Sequence, residues 1–499
     1  MQVKEILKDK AKKYPNKPAL VFKEKTVTFG ELLEQVYKFC HSLQEIGIQK
    51  GDKVALFMPN SLECIYSYLA LFCLGAVVVP LDYMLKEEEL VSCITHSEAK
   101  LLIIRPKDGV TVLSLKERIP TLKDVIVSYE EKHNGFYLFS DFLSRGEIKE
   151  PNVKVEETDN ALIFYTSGTT GRPKGVLLNY RHLDGSPQAM DYFVDLSDKD
   201  VKLCALPLTH FGGLVYLQNC IYYGITLIVM DRFSPIEFLR NIETYKVTCF
   251  HLVPSMYIAL LQLKEFEKYD LSSIRWVNVF GAPSSPEVLQ RFMQYCPKAK
   301  LLHGWGMTET SPPNTVIPMG SPKVRSVGLP APWVELKIVD EDDKELSCGE
   351  VGEITMRSWA VMVGYYKDEE ETARVMRNGW FHTGDLGKID EDGYLYIMGR
   401  IKEMIKVGGE IVYATEVENV IHKIPEINEV AVIGVEDKLR GEVVKAVVSF
   451  KEGVKLSEDD IRHFCRSHLA NFKVPHYIEI RDRLPKTRTD KIDKKALKG

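Results

Sequence analysis

The stretch Tyr165-Thr-Ser-Gly-Thr-Thr-Gly-Arg-Pro-Lys-Gly175 gathers the groups that a polyphosphate needs. Gly168, Gly171 and Gly175 allow backbone N–H groups to turn inward and form a concave nest for anions. Thr166, Ser167, Thr169 and Thr170 add hydroxyl donors, and Arg172 and Lys174 add positive charge. A P-loop would read G-x-x-x-x-G-K-[ST] and open a helix. Here Gly175 follows Lys174 and Pro173 precedes it, so this is a phosphate-binding loop of another class.

Such a loop has to be held by rigid elements, and its flanks supply them. Ala161-Leu-Ile-Phe164 and Val176-Leu-Leu178 predict two buried strands with the loop between them. Upstream, Phe29–Cys40 has apolar residues at helical spacing, and Lys53–Met58, Leu101–Ile104 and Val125–Val127 are short apolar runs. Downstream, Lys202–Pro207, Leu227–Met230, Thr248–Val253 and Ile274–Phe280 are candidate strands that stop at Pro- or Gly-bearing loops. Strands alternating with helices predict an α/β sheet, whose ligands collect where the strands end. From about Val327 short strands with acidic turns predict a β-rich subdomain, and beyond Gly399-Arg400 a small α+β domain. The expected division is therefore 1–399 and 400–499.

Bulk properties narrow the class. The 499 residues are 45% hydrophobic and 27% charged, an ordinary globular composition. A net charge of −5 gives no global attraction to nucleic acid. The ten cysteines show no C-x-x-C pair, which fits a reducing, cytoplasmic compartment. Cys64–Leu81 carries no charge and approaches the length of a bilayer span, but Gly75 and Pro80 divide it. A buried helix, a turn and a buried strand are expected there, not a transmembrane segment. The oligomeric state is left open, a homodimer included.

Further loop stretches share one theme: Phe280-Gly-Ala-Pro283, His303-Gly-Trp-Gly-Met-Thr-Glu-Thr310, Trp380-Phe-His-Thr-Gly-Asp385, Gly399-Arg-Ile-Lys402 and Lys486–Lys491. Small residues admit a flat base, Trp305 offers a ring to stack on it, and a carboxylate can take ribose hydroxyls. Thr166–Gly175, Gly306-Met-Thr-Glu309, Thr383-Gly-Asp385 and Gly399-Arg400, in this order, resemble the AMP-forming adenylate enzymes over essentially the whole chain. That group comprises acyl-CoA synthetases, peptide-synthetase adenylation domains and luciferases, and the similarity is greatest to fatty-acyl-CoA ligases.

The resemblance implies ATP, Mg²⁺ and coenzyme A as partners, and a role for each matching residue. Thr166, Ser167, Gly168, Thr169, Thr170, Gly171 and Lys174 would hold the β- and γ-phosphates. Thr308 would touch the α-phosphate and Glu309 would hold Mg²⁺. Gly281, Ala282, Pro283 and Trp305 would enclose adenine, and Asp385 with Arg400 would bind the ribose. Lys491 would bridge the substrate carboxylate and the α-phosphate, Lys402 would be the hinge, and Gly408 and Gly409 would line the pantetheine channel. His210 would stand at the mouth of an acyl pocket bounded by Phe211, Gly212, Phe280 and Gly306. Asp490, next to Lys491, and Ala414 depart from the family pattern.

The acid is read from the pocket. Amino-acid-activating relatives carry aspartate where this chain has Phe211. Burying an ammonium without a partner is costly, so an α-amino acid is not expected. Phe211, Phe280, Met307 and Val316 indicate an apolar pocket and hence a fatty or aryl acid, and the resemblance to fatty-acyl-CoA ligases implies a fatty acid of medium or long chain. Phe280 pulls towards a medium chain or a ring, which keeps an aryl acid as the alternative. A luciferase-like oxygenase would show light or oxygen uptake, and a nucleotide sensor would release no pyrophosphate.

Overall fold

The computed structural model describes residues 2–128, 135–166, 174–281, 286–318, 320–323, 325–437, 439–451, 453–487 and 492–498. Two largely parallel sheets carry the first part of the chain. In the eight-stranded sheet, Asn160–Thr166, Val77–Pro80, Lys53–Phe57, Leu101–Ile104, Asp124–Val127 and Tyr137–Leu138 run parallel in that spatial order. Lys174–Asn179 and Gly364–Tyr365 add antiparallel strands at the edge beside Asn160–Thr166. In the nine-stranded sheet, Lys300–Trp305, Trp276–Val279, Cys249–Leu252, Val201–Cys204, Thr226–Val229 and Pro18–Phe22 are parallel neighbours. Strands of this kind are covered on both faces, which is why they read as continuous apolar runs.

Local chemistry sets the covering helices. Phe29–Glu45 begins with a capping box: Glu31 N donates to Thr28 Oγ1 at 3.2 Å, and Thr28 N donates to Glu31 Oε2 at 2.8 Å. Leu62–Cys73 starts at Ser61, whose hydroxyl accepts from Cys64 N at 3.2 Å, and beyond Glu63 it carries no charge because every later residue is buried. Gly75 turns the chain into the strand Val77–Pro80, so the uncharged stretch is divided as expected. Among the described residues no helix is long and apolar enough to cross a membrane.

The strands Glu335–Val339, Gly352–Arg357, Trp380–Ile389, Met376–Arg377 and Leu395–Arg400 form the antiparallel sheet of the β-rich subdomain. The chain leaves this sheet at Arg400, makes the turn Ile401–Glu403 and enters a fourth sheet at Met404. That sheet has its own apolar core, in which Ile405, Val417, Val432, Ala446 and Ile461 meet. Along Ile427–Asp437 the side chains alternate: Val430 and Val432 enter this core, while Ala431 and Ile433 pack on the other face with Leu484 and Leu497. The result is a mixed α/β fold with a large N-terminal and a small C-terminal part. Strand ends fall short of the sequence reading in places: Val201–Cys204 stops before Pro207, and Trp276–Val279 is narrower than Ile274–Phe280. Beyond Cys204 the backbone bonds to a side chain in place of a strand: Asn60 Nδ2 donates to Leu206 O at 2.9 Å and Asn60 Oδ1 accepts from Leu208 N at 2.8 Å.

Candidate functional site

Thr166 and Lys174 are register partners at the ends of two antiparallel strands, so the phosphate-loop stretch is anchored at both sides. Ser167, Gly168, Thr169, Thr170 and Gly171 lie outside the described residues, as do Arg172 and Pro173. Lys174 Nζ is paired with Glu371 and stands 5.2 Å from the centre of the Tyr365 ring. Arg374 holds the same carboxylate, with Nε 2.7 Å from Oε2 and an NH2 group 2.6 Å from Oε1. The hydrogen bonds of Arg374, chiefly, and that of Lys174 overcome burial and bring the Glu371 carboxyl down to about 2. Nothing local in the sequence marks Glu371 as a partner of Lys174, because the two lie on separate elements that meet only in the fold.

The strand Lys300–Trp305 ends at Gly306, and Thr308–Thr310 forms a short turn beyond it. Glu309 Oε1 accepts from the Tyr365 hydroxyl at 3.2 Å. Burial raises its carboxyl above the ordinary value, against the hydrogen bonds it accepts. Trp305 is buried among Val327, Ala331, Val334 and Met356, and its indole N–H donates to Asp385 Oδ2 at 2.9 Å. Arg400 Nε donates to the other oxygen, Oδ1, at 2.7 Å, because Asp385 and Arg400 face each other across adjacent antiparallel strands. A carboxylate has about four acceptor sites, so each oxygen retains capacity for a ribose hydroxyl. Trp305 thus meets the carboxylate expected to hold the ribose, a contact that the sequence reading missed.

His210 occupies the N-cap position of the helix Phe211–Tyr223, with Nε2 3.5 Å from Asp82 Oδ2. Phe211 is buried and packs against Phe164, ring centres 5.8 Å apart. Phe280 leaves the neighbouring strand with its ring against Gly304: a Cβ there would fall 2.7 Å from Phe280 Cε1, so only glycine admits the ring. Gly281 follows with φ of 90°, whereas Ala282 and Pro283 lie outside the described residues.

In the C-terminal part, Gly408 and Gly409, φ 59° and 91°, make the two-residue turn between Met404–Val407 and Glu410–Tyr413. Lys402 lies in the turn between the sheets, and burial lowers its ammonium below the ordinary lysine value. Lys491 lies outside the described residues. Lys486 and Ile492 on either side of it pair as an isolated antiparallel bridge. Lys494, three positions on, is 2.9 Å from Glu403 and 2.8 Å from Glu418, which ties this end of the chain to the inter-sheet turn. A cavity of about 460 Å³ beside Val407 is lined by Arg440, Arg462, Arg466, Phe472 and His476. Arg440 O accepts from Gly408 N at 2.8 Å, so the cavity adjoins the diglycine turn. Arg462 and Arg466 stand one helical turn apart, a spacing visible in the sequence although their meeting with Arg440 is not.

Among the described residues no group of three or more His, Cys, Asp or Glu side chains could hold a metal by itself. Glu309 fits Mg²⁺ in the manner usual for nucleotide sites, as one hard carboxylate that leaves phosphates and water to complete the coordination.

A family model described as AMP-binding enzyme matches residues 7–366, and one described as AMP-binding enzyme C-terminal domain matches residues 416–491. A long-chain-fatty-acid–CoA ligase of Bacillus subtilis (strain 168) is 34% identical, with 99% of this chain and 93% of that protein covered. A feruloyl-CoA synthase of an Amycolatopsis species is 33% identical, with 97% and 96% covered. The crystal structure of the anthranilate CoA ligase AuaEII with anthranoyl-AMP superposes with a TM-score of 0.93 at 27% identity, covering 99% of this chain and 96% of that one.

Proposed function

Since the chain belongs to the AMP-binding enzyme family and is an AMP-forming acyl-CoA synthetase, we propose that it activates a fatty acid of medium or long chain. A carboxylate oxygen attacks the α-phosphorus of ATP, the bond to the bridging oxygen breaks, and pyrophosphate leaves with the acyl-adenylate formed. A CoA thiolate then attacks the acyl carbon, the bond to AMP breaks, and acyl-CoA and AMP are released. A free thiol of pKa ~8.5 is a few per cent ionised at neutral pH, so no strong base is needed.

The first step sets anion against anion, and the residues at hand address that. Thr166 to Lys174 cradle the β- and γ-phosphates, Thr308 contacts the α-phosphate and Lys491 neutralises the approach of the carboxylate. When bound at Glu309, Mg²⁺ supplies charge that stabilises the leaving pyrophosphate. Asp385 accepts from the ribose hydroxyls, with its orientation fixed by Arg400 and Trp305. Gly281, Ala282 and Pro283 border the base. Two reactions of different geometry in one site call for a moving part. The units 1–399 and 400–499 fill that role, with Lys402 as pivot and Gly408-Gly409 lining the thiol's approach. The cluster of Arg440, Arg462 and Arg466 beside that turn suits the phosphates of CoA.

The observation that carries this reading is the Trp305–Asp385–Arg400 unit, set beside the turn that bears Thr308 and Glu309. A second reading, an aryl acid, is favoured by the Phe280 ring lying over Gly304, where it shortens the pocket. The test is pyrophosphate release over fatty, aryl and branched acids, with and without CoA. Acid-dependent release, with AMP and thioester formed when CoA is present, is expected. Release that ignores the acid sinks the proposal.

A further inference from the structure

The two faces of the nine-stranded sheet differ sharply where the acyl group would lie. Lys202 is in register with Cys249 and Cys249 with Trp276, while His251 pairs with Asn278 two residues nearer the strand ends. Alternation puts all of these on one face. The other face presents Phe250, Leu252, Val277 and Val279, and Phe250 packs there against Phe238 and Phe292. That face is apolar on these strands apart from His303, in register with Val279, whereas the one beneath the helix Phe211–Tyr223 carries Lys202, His251 and Asn278.

Tyr216, one turn beyond Gly212, stacks on His251 with ring centres 3.8 Å apart. Its hydroxyl donates to His251 O at 2.5 Å and accepts from His251 N at 2.9 Å, and His251 Nε2 lies 2.7 Å from Gly212 O. Behind this pair, Lys202 Nζ stands 5.0 Å from the Tyr216 ring centre and 5.3 Å from that of Trp276. Lys202 is 1% exposed and donates to Asn219 Oδ1 at 2.6 Å, with no carboxylate partner among the described residues. Trp276 Nε1 and Asn278 Oδ1, on residues each 2% exposed, have no hydrogen-bond partner among the described residues. Buried polar groups are ordinarily satisfied, and a donor and an acceptor left open on one face call for a ligand with both capacities.

We propose that the acyl pocket selects a compact acid bearing a hydroxyl at the end remote from the reacting carboxyl, held by Asn278 and Trp276. Resting on the ligase reading, this specifies the substrate class of the same site. The Phe280 ring lies over Gly304 at the strand end on this face, where the proposal sets the mouth of the pocket. Asn278 lies two residues inward and Trp276 four, depths of about 7 and 13 Å at the usual strand rise. A hydroxyl donates to Asn278 Oδ1 and accepts from Trp276 Nε1, closing both open bonds. A saturated tail would leave them unmade and press hydrocarbon towards a buried ammonium. Burial brings the Lys202 ammonium down to about 8, so it is still mostly charged at neutral pH.

The test compares kcat/KM for pyrophosphate release within matched pairs: a para-hydroxylated arylpropenoic acid against its unsubstituted parent, and ω-hydroxyoctanoic against octanoic acid. Palmitic acid is run beside them. In at least one pair the hydroxylated acid is expected to lead by ~30-fold or more, since a site built for a hydroxyl strongly rejects its absence. Asn278→Leu and Trp276→Phe should each shrink that ratio about tenfold, a readout independent of how much enzyme is folded. Ratios near one in both pairs, ratios unmoved by both variants, or palmitic acid as the best substrate would overturn the proposal while leaving the ligase reading intact. If no acid releases pyrophosphate, the ligase reading falls and this proposal with it.

Discussion

Replacing Trp305 by phenylalanine removes the indole N–H and keeps an aromatic ring of similar placement. In the wild type that N–H lies 2.9 Å from Asp385 Oδ2, on a residue only 7% exposed. A hydrogen bond to a charged group contributes about 1.5–3 kcal/mol. Arg400 still holds Oδ1 at 2.7 Å in the variant, so the carboxylate keeps its charge partner and the lower part of that range applies. About 1.5–2 kcal/mol is then lost from the pre-set orientation of Asp385, or roughly 10–30-fold in ATP affinity at 1.36 kcal/mol per factor of ten. The assay is KM for ATP in pyrophosphate release, run in parallel with 2′,3′-dideoxy-ATP. The wild type should discriminate against the dideoxy nucleotide, and Trp305→Phe should discriminate less, because the ribose acceptor is no longer aimed. If Trp305 serves only by stacking on adenine, phenylalanine preserves most of its role. An ATP KM within twofold of wild type, with unchanged discrimination against the dideoxy nucleotide, would refute the reasoning.

Three further outcomes are expected. Lys491→Ala should abolish acyl-adenylate formation but spare thioester formation from supplied acyl-adenylate; equal loss in both half-reactions would remove Lys491 from the role assigned to it. Phe280→Gly should open the space over Gly304 and extend turnover towards longer acids, and an unchanged chain-length profile would take Phe280 out of the pocket. Glu371→Gln should destabilise the protein at neutral pH, with a sign fixed by linkage. The folded carboxyl titrates at about 2, below its ordinary value of 4.5, so its contribution is complete above 4.5 and fades as pH falls towards 2. The difference in Tm between wild type and variant should therefore shrink across that window, and a gap that is constant with pH would count against the pairing with Arg374 and Lys174.

Much of the site was legible because its chemistry is concentrated in short stretches. The apolar flanks of the phosphate loop gave strands Asn160–Thr166 and Lys174–Asn179, and Gly75 divided the uncharged stretch as expected. Asp385 and Arg400 were both identified, yet their pairing depends on a register between antiparallel strands that neither local segment encodes. The link from Lys174 to Glu371 was invisible for the same reason. Ends of elements were less legible than their existence, as at Val201–Cys204, where apolar character continues past the point at which the ladder stops.

The amino-acid order by itself determined the α/β alternation, the change of texture near Val327 and the chemical theme of nucleotide binding, since periodicity and turn residues act over a few positions. Only the tertiary structure decided that Trp305 points its N–H at Asp385, that Phe280 lies on Gly304, and that Lys202, Trp276, His251 and Asn278 share one face. The physical reason is that such contacts depend on strand register and helix placement, which are set by burying all the apolar surfaces at once.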